Sequence, residues 1–299
     1  MDFTIEVIKS DELTRTIQFR AVPDARRYDR IEKDGEAYYL DKYLRLLISE
    51  KLMLHEGAKQ LVGLPIYELS ASIDSTPEYA AARKLALGAE LKGGSYVLPS
   101  EAATPHRSIA LDLTPRELVF LSVDICRGSA LRYASRTKFD EAYRIFVREL
   151  GTVVGQFNGG IYKLTGDGFI AYIDHPAFTV RSDQAVDLGL SLLVMLRDSI
   201  NPALMDADLP QFEIRIGADS GLATFRKIEV PMTGFSDTEV GSDALNRAVK
   251  IQESANPNEF RIGRDLYELI HVKWLERARE VSFDGCSIGA PEYRVYGVE

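Results

Sequence analysis

The sequence predicts an α+β domain in which helices cover a mixed β-sheet, preceded by a mainly helical N-terminal extension. From Leu118 onward, strand-type and helix-type segments alternate, which is typical of a sheet with crossover helices. Hairpin signals interrupt this alternation, so the sheet should also contain antiparallel neighbours. The first 115 residues lack the alternation. We therefore expect an extension over residues 1–115, with a regulatory or packing role, and an α+β domain over residues 116–299.

The composition excludes several function classes. The chain has 299 residues, 45% of them hydrophobic, two cysteines and a formal net charge of −9. This charge repels a phosphate backbone, and the two cysteines form no metal-binding or disulfide pattern, so we expect neither nucleic acid nor structural zinc. The longest apolar run, residues 188–196, is shorter than the roughly 20 residues of a membrane span, and no secretory signal is visible. We expect a cytoplasmic protein with a small-molecule partner and no membrane contact.

The extension carries a weak pattern. Residues 39–61 place apolar side chains mostly three, four and seven positions apart, which predicts an amphipathic helix. The stretch from Ser70 to Pro105 is rich in small and turn-forming residues, which indicates a loosely structured connection.

The domain elements follow in order from their periodicity. The apolar run at 118–125 predicts a central strand, because such runs are typical of strands covered on both faces. TGDG predicts the turn of a hairpin over 159–174, and a second hairpin over 212–230 is expected to turn near residues 219–221. The remaining expected elements are helices at 139–154, 183–200, 241–254 and 265–271, and strands at 259–263 and 293–298.

Two acidic residues stand out as candidates for metal binding. Asp124 lies near the end of the central strand, and Asp167 lies in the TGDG turn that follows. Alone, each has an ordinary structural interpretation, as a capping or ion-paired aspartate and as a simple Asp-Gly turn. A hairpin beside a central strand brings the two carboxylates together, and this donor set suits Mg²⁺ or Mn²⁺.

With these two aspartates in their sequence context, the chain resembles the class III nucleotidyl cyclases, the family of adenylate and guanylate cyclases. The matching segments, in family order, are FLSVDI, YKLTGDGFIAYI, FEIRIGADSG and GSDALNRAVKIQES. The resemblance implies that residues 116–299 form the catalytic domain, with a ferredoxin-like, palm-type sheet and two divalent cations, Mn²⁺ or Mg²⁺. It assigns these cations to Asp124, the carbonyl of Ile125 and Asp167. It also implies a homodimer with active sites at the interface.

The resemblance further implies a helix that contacts the ribose and the phosphates. In the family, an Asn orients the ribose and an Arg four residues later stabilises the transition state. Asn246 matches the first, but Lys250 occupies the Arg position. Since Lys lacks the planar fork of Arg, either Lys250 acts as a point charge or Arg247 supplies the fork. The structural alternative is that Arg247 and Lys250 form a solvated helix face.

Lys163 and Glu239 fall at or near the family's base-reading positions. Lys donates and Glu accepts, a pair that suits uracil, cytosine or adenine and fits guanine worst. Tyr162, Arg132 and Tyr133 are candidates for narrowing the base pocket.

The segment after Asp124 refines the resemblance. Purine cyclases usually read DIxGFT here, whereas this chain reads DICRGS, most like the pyrimidine cyclases of bacterial Pycsar antiphage systems. This implies conversion of UTP, less favourably CTP, to a cyclic nucleotide messenger that acts on a separate effector. The alternatives are an adenylate cyclase making cAMP and an inactive nucleotide-binding signalling domain. The turn lacks the second acidic residue of GGDEF diguanylate cyclases, and no His ligand supports a nuclease or phosphatase.

Overall fold

The chain forms two compact units. The computed structural model describes residues 2–11, 16–61, 70–106, 108, 109 and 113–299. The first unit comprises residues 1–68 with 270–276, and the second comprises 69–269 with 277–299. The observed boundary therefore lies near residue 68, within the segment 62–69 that falls outside the described residues, and not at the predicted residue 115.

The described part of the first unit is mainly strand, which differs from the predicted mainly helical extension. Residues 39–49 contribute to two strands joined by a turn. Asp41 ends the first strand, and its Oδ1 stabilises the turn by accepting hydrogen bonds from the backbone N–H groups of Tyr43 and Leu44 at 3.0 and 2.9 Å. Helix α1 begins only after this turn. The elements are β1 (Phe3–Asp11), β2 (Thr16–Pro23), β3 (Tyr28–Lys33), β4 (Glu36–Asp41), β5 (Leu47–Ser49) and α1 (Glu50–Leu61).

The second unit begins with a helix that the sequence did not predict. Helix α2 (Thr76–Leu91) lies within the stretch expected to be loosely structured. Its many alanine and leucine residues are strong helix formers, and a proline occupies a favourable place in its first turn. Its buried residues include Arg83, which forms an ion pair with Glu149. This packing explains why α2 belongs to the second unit.

One mixed sheet organises the second unit, as predicted. Within residues 113–299, all described, the strand order is β12-β13-β11-β9-β6-β8-β7, and β10 pairs with β9. The pair β9–β11 is parallel and the other pairs are antiparallel. The strands are β6 (Arg116–Ile125), β7 (Gly159–Leu164), β8 (Gly168–Ile173), β9 (Ile214–Val230), β10 (Phe235–Gly241), β11 (Glu259–Gly263), β12 (Ala278–Val281) and β13 (Val295–Val298).

The second predicted hairpin is wrong in its position. β9 runs without a break through residues 219–221, and the hairpin closes only after Val230, where the chain returns as β10. Asp219 suggested a turn, but it is fully buried in the strand. Its charge is compensated there by an ion pair with Arg247, so the strand continues.

The helices of the second unit are α3 (Gly128–Ala134), α4 (Arg136–Gln156), α5 (Phe178–Met195), α6 (Asn201–Asp206), α7 (Asp243–Ser254) and α8 (Arg264–Tyr267). Helix α9 (Val272–Leu275) belongs to the first unit. Among the described residues, the continuous helical stretch Phe178–Asp206 is long and apolar enough to cross a membrane. Of its most apolar window, 56% is buried within the protein, as in a core helix. Length and composition alone therefore do not make this stretch a membrane span.

Helix α7 packs on the face of the sheet that carries Asp124. This face contributes Leu118, Phe120, Ile170 and Tyr172, and α7 contributes Ala244 and Ala248 to the same apolar cluster. Since side chains alternate across a strand, Asp124 shares this face with Leu118 and Phe120. The apolar cluster thus lies on the same face of β6 as Asp124, next to the end of the strand that carries the candidate site.

Candidate active site

The strand register brings Asp124 and Asp167 together at one end of the sheet. Asp124 is the penultimate residue of β6 and pairs with Gly168, the first residue of β8. The turn that contains Asp167 therefore lies beside the end of β6. The backbone N–H of Ile125 donates to the carbonyl of Asp167 at 3.2 Å, which ties the turn to the strand.

The electrostatics of the site are set by two carboxylates and one guanidinium. Burial raises the pKa of Asp124; the hydrogen bond from Arg215 opposes this, and the neighbouring Asp167 carboxylate raises the pKa again. Arg215 Nη2 lies 2.6 Å from Asp124 Oδ2, and Gln252 Nε2 lies 3.4 Å from the same oxygen. Oδ2 of Asp124 thus has two partners within the protein. The like charges of Asp124 and Asp167 still repel each other.

Gly128 gives Asp167 the room it needs. A Cβ on Gly128 would lie 2.4 Å from Asp167 Oδ2, closer than non-bonded atoms approach. A side chain at this position would therefore displace the carboxylate. This close approach gives a physical reason for the glycine in DICRGS.

The donor set fits divalent cations with oxygen ligands. Two adjacent carboxylates and a nearby backbone carbonyl are the ligands that Mg²⁺ and Mn²⁺ take, with substrate phosphate oxygens completing the shell. In the described residues, no group of three or more His, Cys, Asp or Glu side chains is placed to hold a metal. If such ions bind, Asp124, Asp167 and the carbonyl of Ile125 are the predicted oxygen ligands that lie at the end of β6.

Asn246 and Lys250 lie on the exposed side of α7. They are one helical turn apart and share a face of the helix. Lys250 Nζ lies 2.8 Å from Glu253 Oε2, and both side chains are about half exposed. Among the described residues, no hydrogen bond or ion pair connects Asn246 or Lys250 to Asp124 or Asp167. Within one chain, the carboxylate half-site and the ribose half-site, Asn246 with Lys250, thus share no direct side-chain contact, although Gln252 of the same helix contacts Asp124.

Arg247 is held within the protein. Its Nε donates to Asp219, and its Nη2 donates to Asp265 Oδ2 at 2.8 Å and to the carbonyl of Ser220 at 3.2 Å. Because these donors are used inside the protein, Arg247 is not part of a solvated helix face. This placement favours Lys250 over Arg247 as the contact to phosphate, and that role stays a prediction.

A bulge in β7 determines where Lys163 lies. The pairing with β8 shifts between Ile161 and Lys163, so Tyr162 is the extra residue. Tyr162 packs against the apolar cluster beneath α7, and Lys163 pairs with Ile170 of that cluster. Lys163 is consequently on the same face as Asp124, since directly opposite residues share a face.

The other residues predicted to line the base pocket are exposed, as Lys163 is. Glu239 pairs across the hairpin with Arg226, and their charged atoms lie 3.7 Å apart. No ion pair joins Glu239 to Lys163 in the described part of the chain. Tyr133 is 95% exposed, and Arg132 donates to Asp140 at 3.0 Å. Within one chain, the structure therefore does not gather these side chains into a closed pocket.

Sequence reasoning missed two residues that contact Asp124. Arg215 is opposite Asp124 in the pairing of β6 with β9, and Gln252 reaches the same carboxylate from α7. The quoted motifs contain both residues, but their partner is fixed by strand register and helix rotation. The one sequence signal for the contact between Arg215 and Asp124 is the alternation of β9, which puts Arg215 on the same face of the strand as Asp219.

Comparison with known proteins gives a consistent fold. The sequence matches no family model and no curated protein. Among solved structures, it is similar to the adenylyl cyclase CyaB from P. aeruginosa, with TM-score 0.54, 16% identity and coverage of 63% of this chain and 96% of that one. For the guanylyl cyclase Cya2 the values are 0.51, 18%, 62% and 92%.

A third similar structure is the guanylate cyclase domain of RhGC from Catenaria anguillulae in complex with GTP. Its TM-score is 0.52 at 16% identity, and the match covers 62% of this chain and 98% of that one. At such low identity, the likeness establishes the architecture. The mixed sheet with its helices is the palm-type α+β fold of class III adenylyl and guanylyl cyclase domains.

Proposed function

We propose that the second unit is the catalytic domain of a nucleotidyl cyclase, which converts a nucleoside triphosphate to its 3′,5′-cyclic monophosphate and pyrophosphate. One observation carries the proposal. Asp124 and Asp167, distant in sequence, meet at the end of β6 in a fold that solved cyclase domains share. A half-buried pair of like charges with no catalytic use would be unfavourable for folding, which supports a metal-binding purpose.

The chain's residues divide the chemistry among them. Asp124, Asp167 and the carbonyl of Ile125 would hold two divalent cations; such ions, when bound, acidify the ribose 3′-hydroxyl and neutralise the departing pyrophosphate. The 3′-oxygen forms a bond to the α-phosphorus, and the bond from that phosphorus to the pyrophosphate oxygen breaks. Asn246 orients the ribose. Lys250 places positive charge where negative charge develops on the phosphate.

We further propose a pyrimidine substrate, UTP in preference to CTP. Lys163 as donor and Glu239 as acceptor match the edge of uracil. The DICRGS segment, which resembles that of the Pycsar pyrimidine cyclases, also supports this proposal. The product would then be a cytoplasmic messenger in antiphage defence that acts on a separate effector.

A homodimer would complete the active site. Asn246 and Lys250 are exposed and unconnected to the carboxylates, so a second chain is needed to bring the two half-sites together. The hairpin of β9 and β10 also exposes apolar side chains, of which Met232 is 97% and Phe235 54% exposed. Such a surface favours contact with another chain. Two-fold symmetry would produce two equivalent sites.

A substrate panel tests the proposal. The purified protein is incubated with ATP, GTP, CTP or UTP and Mn²⁺, and products are identified by mass spectrometry. We expect cyclic UMP and pyrophosphate, with UTP turned over fastest. Product from ATP alone would identify an adenylate cyclase. Binding of nucleotides without release of pyrophosphate would instead indicate an inactive nucleotide-binding domain and contradict the proposal.

Lys250 provides a second test. Lys250→Ala should lower kcat about a hundredfold, because the site loses its point charge at the phosphate. Lys250→Arg should retain most of the activity, since the positive charge remains. Glu253→Gln is the matched control: it removes the partner of an exposed ion pair and should leave kcat within about twofold. Steady-state pyrophosphate release measures all three, and full activity in Lys250→Ala would exclude this role.

A further inference from the structure

A buried polar network joins β9 to α7 beside the candidate site. Asp219 is fully buried, and both of its carboxylate oxygens have partners. Oδ1 accepts from the backbone N–H groups of Ser220 at 2.9 Å and Leu266 at 3.2 Å. Oδ2 accepts from Tyr293 Oη at 2.7 Å and from Arg247 Nε. The carboxylate is thus saturated with donors, as a buried charge must be.

The surroundings of Asp219 are shaped to admit a carboxylate. A Cβ on Gly263 would lie 2.6 to 2.8 Å from the Asp219 carboxyl atoms, so this glycine keeps the space open. Arg247 continues the network to Asp265 Oδ2 at 2.8 Å, and its guanidinium carbon lies 5.2 Å from the centre of the Tyr293 ring. The Asp219 carboxylate thus links β9 to α7 and to Tyr293 near the C-terminus.

The network constrains the rotation of α7. Arg247 reaches Asp219 only when its side of the helix faces β9, because each residue turns the helix by roughly 100°. Asn246 and Lys250 lie on the exposed flank next to Arg247, roughly 100° and 60° from it around the helix. Their direction is therefore fixed once Arg247 is anchored. Ala244 and Ala248 pack on the sheet, and Gln252 contacts Asp124 farther along the helix. Arg247 is the polar anchor of the turn between Asn246 and Lys250.

We propose that Asp219 is a positioning residue that, by anchoring Arg247, fixes the rotation of α7 and aims Asn246 and Lys250 at the nucleotide. This inference rests on the cyclase function proposed above. Buried ion pairs often add little net stability compared with apolar packing, whereas a single polar partner enforces one arrangement. Asp219 touches neither substrate nor metal in this scheme and acts only through Arg247.

The test compares two buried Arg–carboxylate pairs of the second unit. Asp219→Asn should lower kcat about tenfold while KM for the nucleotide stays within about threefold, because misdirected groups weaken the transition state. Arg247→Lys, which keeps the charge and loses the fork, provides a milder variant and should lower kcat severalfold. Glu149→Gln is the matched control. It weakens the pair with Arg83, whose Nε lies 2.9 Å from Glu149 Oε2, and should leave kcat unchanged.

Amide hydrogen exchange provides a readout that does not need activity. In Asp219→Asn, exchange of the α7 amides should accelerate at least severalfold relative to wild type, whereas Glu149→Gln should leave α7 exchange unchanged. Wild-type kcat and α7 exchange in a folded Asp219→Asn, or an equal loss of kcat in Glu149→Gln, would overturn the inference. If the wild type forms no cyclic product, the proposed cyclase function fails, and α7 exchange alone decides whether Asp219 anchors the helix.

Discussion

Asp124→Asn and Asp167→Asn are each expected to reduce cyclic nucleotide formation roughly a thousandfold. Each change removes one of two carboxylates that meet at the end of β6 and would hold the divalent cations. Burial and then repulsion by Asp167 raise the pKa of Asp124. Removing one charge relieves this repulsion and offsets the weakened pair with Arg215 in Asp124→Asn, so the stability should change little. Pyrophosphate release measures the activity, and thermal denaturation measures the stability.

Asp174→Asn is the matched control for these variants. Asp174 follows β8 at the end remote from Asp167, and its partially exposed carboxylate pairs with Arg116 Nε at 2.7 Å. Loss of this exposed pair should leave turnover within about twofold. Isothermal titration with Mn²⁺ should show weaker binding in Asp124→Asn and Asp167→Asn than in the control. Normal turnover in either carboxylate variant would remove the basis of the proposed function.

Mixing variants distinguishes a site shared between chains from one within a chain. Asp124→Asn and Asn246→Ala should each be inactive alone, because they damage opposite half-sites. If two chains share each site, random mixing yields heterodimers with one intact site, and about a quarter of wild-type activity should return. Activity that stays absent, although the two variants associate, would mean that the carboxylates and Asn246 of one chain act together.

Sequence reasoning predicted the mixed sheet and the meeting of the two carboxylates because both depend on local signals. The apolar run of β6 and the TGDG turn between β7 and β8 are short-range features, and the hairpin brings Asp167 beside the strand. The palm-type fold followed from four segments in family order. These parts required no knowledge of which side chains meet across the core.

The parts that sequence reasoning missed depend on long-range partners. Asp219 is a turn former by local preference, yet it lies inside β9 because Arg247 and Tyr293, far along the chain, compensate its charge. The bulge at Tyr162 that places Lys163 beside the site depends on pairing with β8. Sequence reasoning missed helix α2 because the surrounding stretch is rich in small and turn-forming residues. The packing of α2 in the second unit depends on the ion pair between Arg83 and Glu149.

Glu149→Ala is expected to lower the free energy of unfolding of the second unit by about 3–5 kcal/mol. Glu149 is 1% and Arg83 4% exposed, and two hydrogen bonds of 2.9 and 3.1 Å join them. The alanine leaves the Arg83 guanidinium buried without its main acceptor, which costs far more than an exposed pair. Urea denaturation followed by circular dichroism measures the effect.

Two further variants separate loss of the pair from loss of packing. Asp198→Ala breaks the surface pair with Arg197, whose 2.6 Å contact is shorter but largely exposed, and should cost less than about 1 kcal/mol. The double variant Arg83→Met, Glu149→Leu should recover most of the stability, because apolar side chains of similar size replace both charges. If Glu149→Ala instead releases α2 alone while the sheet unfolds at the wild-type urea concentration, α2 is an appendage. A single shifted transition would show that α2 unfolds with the sheet that carries Asp124 and Asp167.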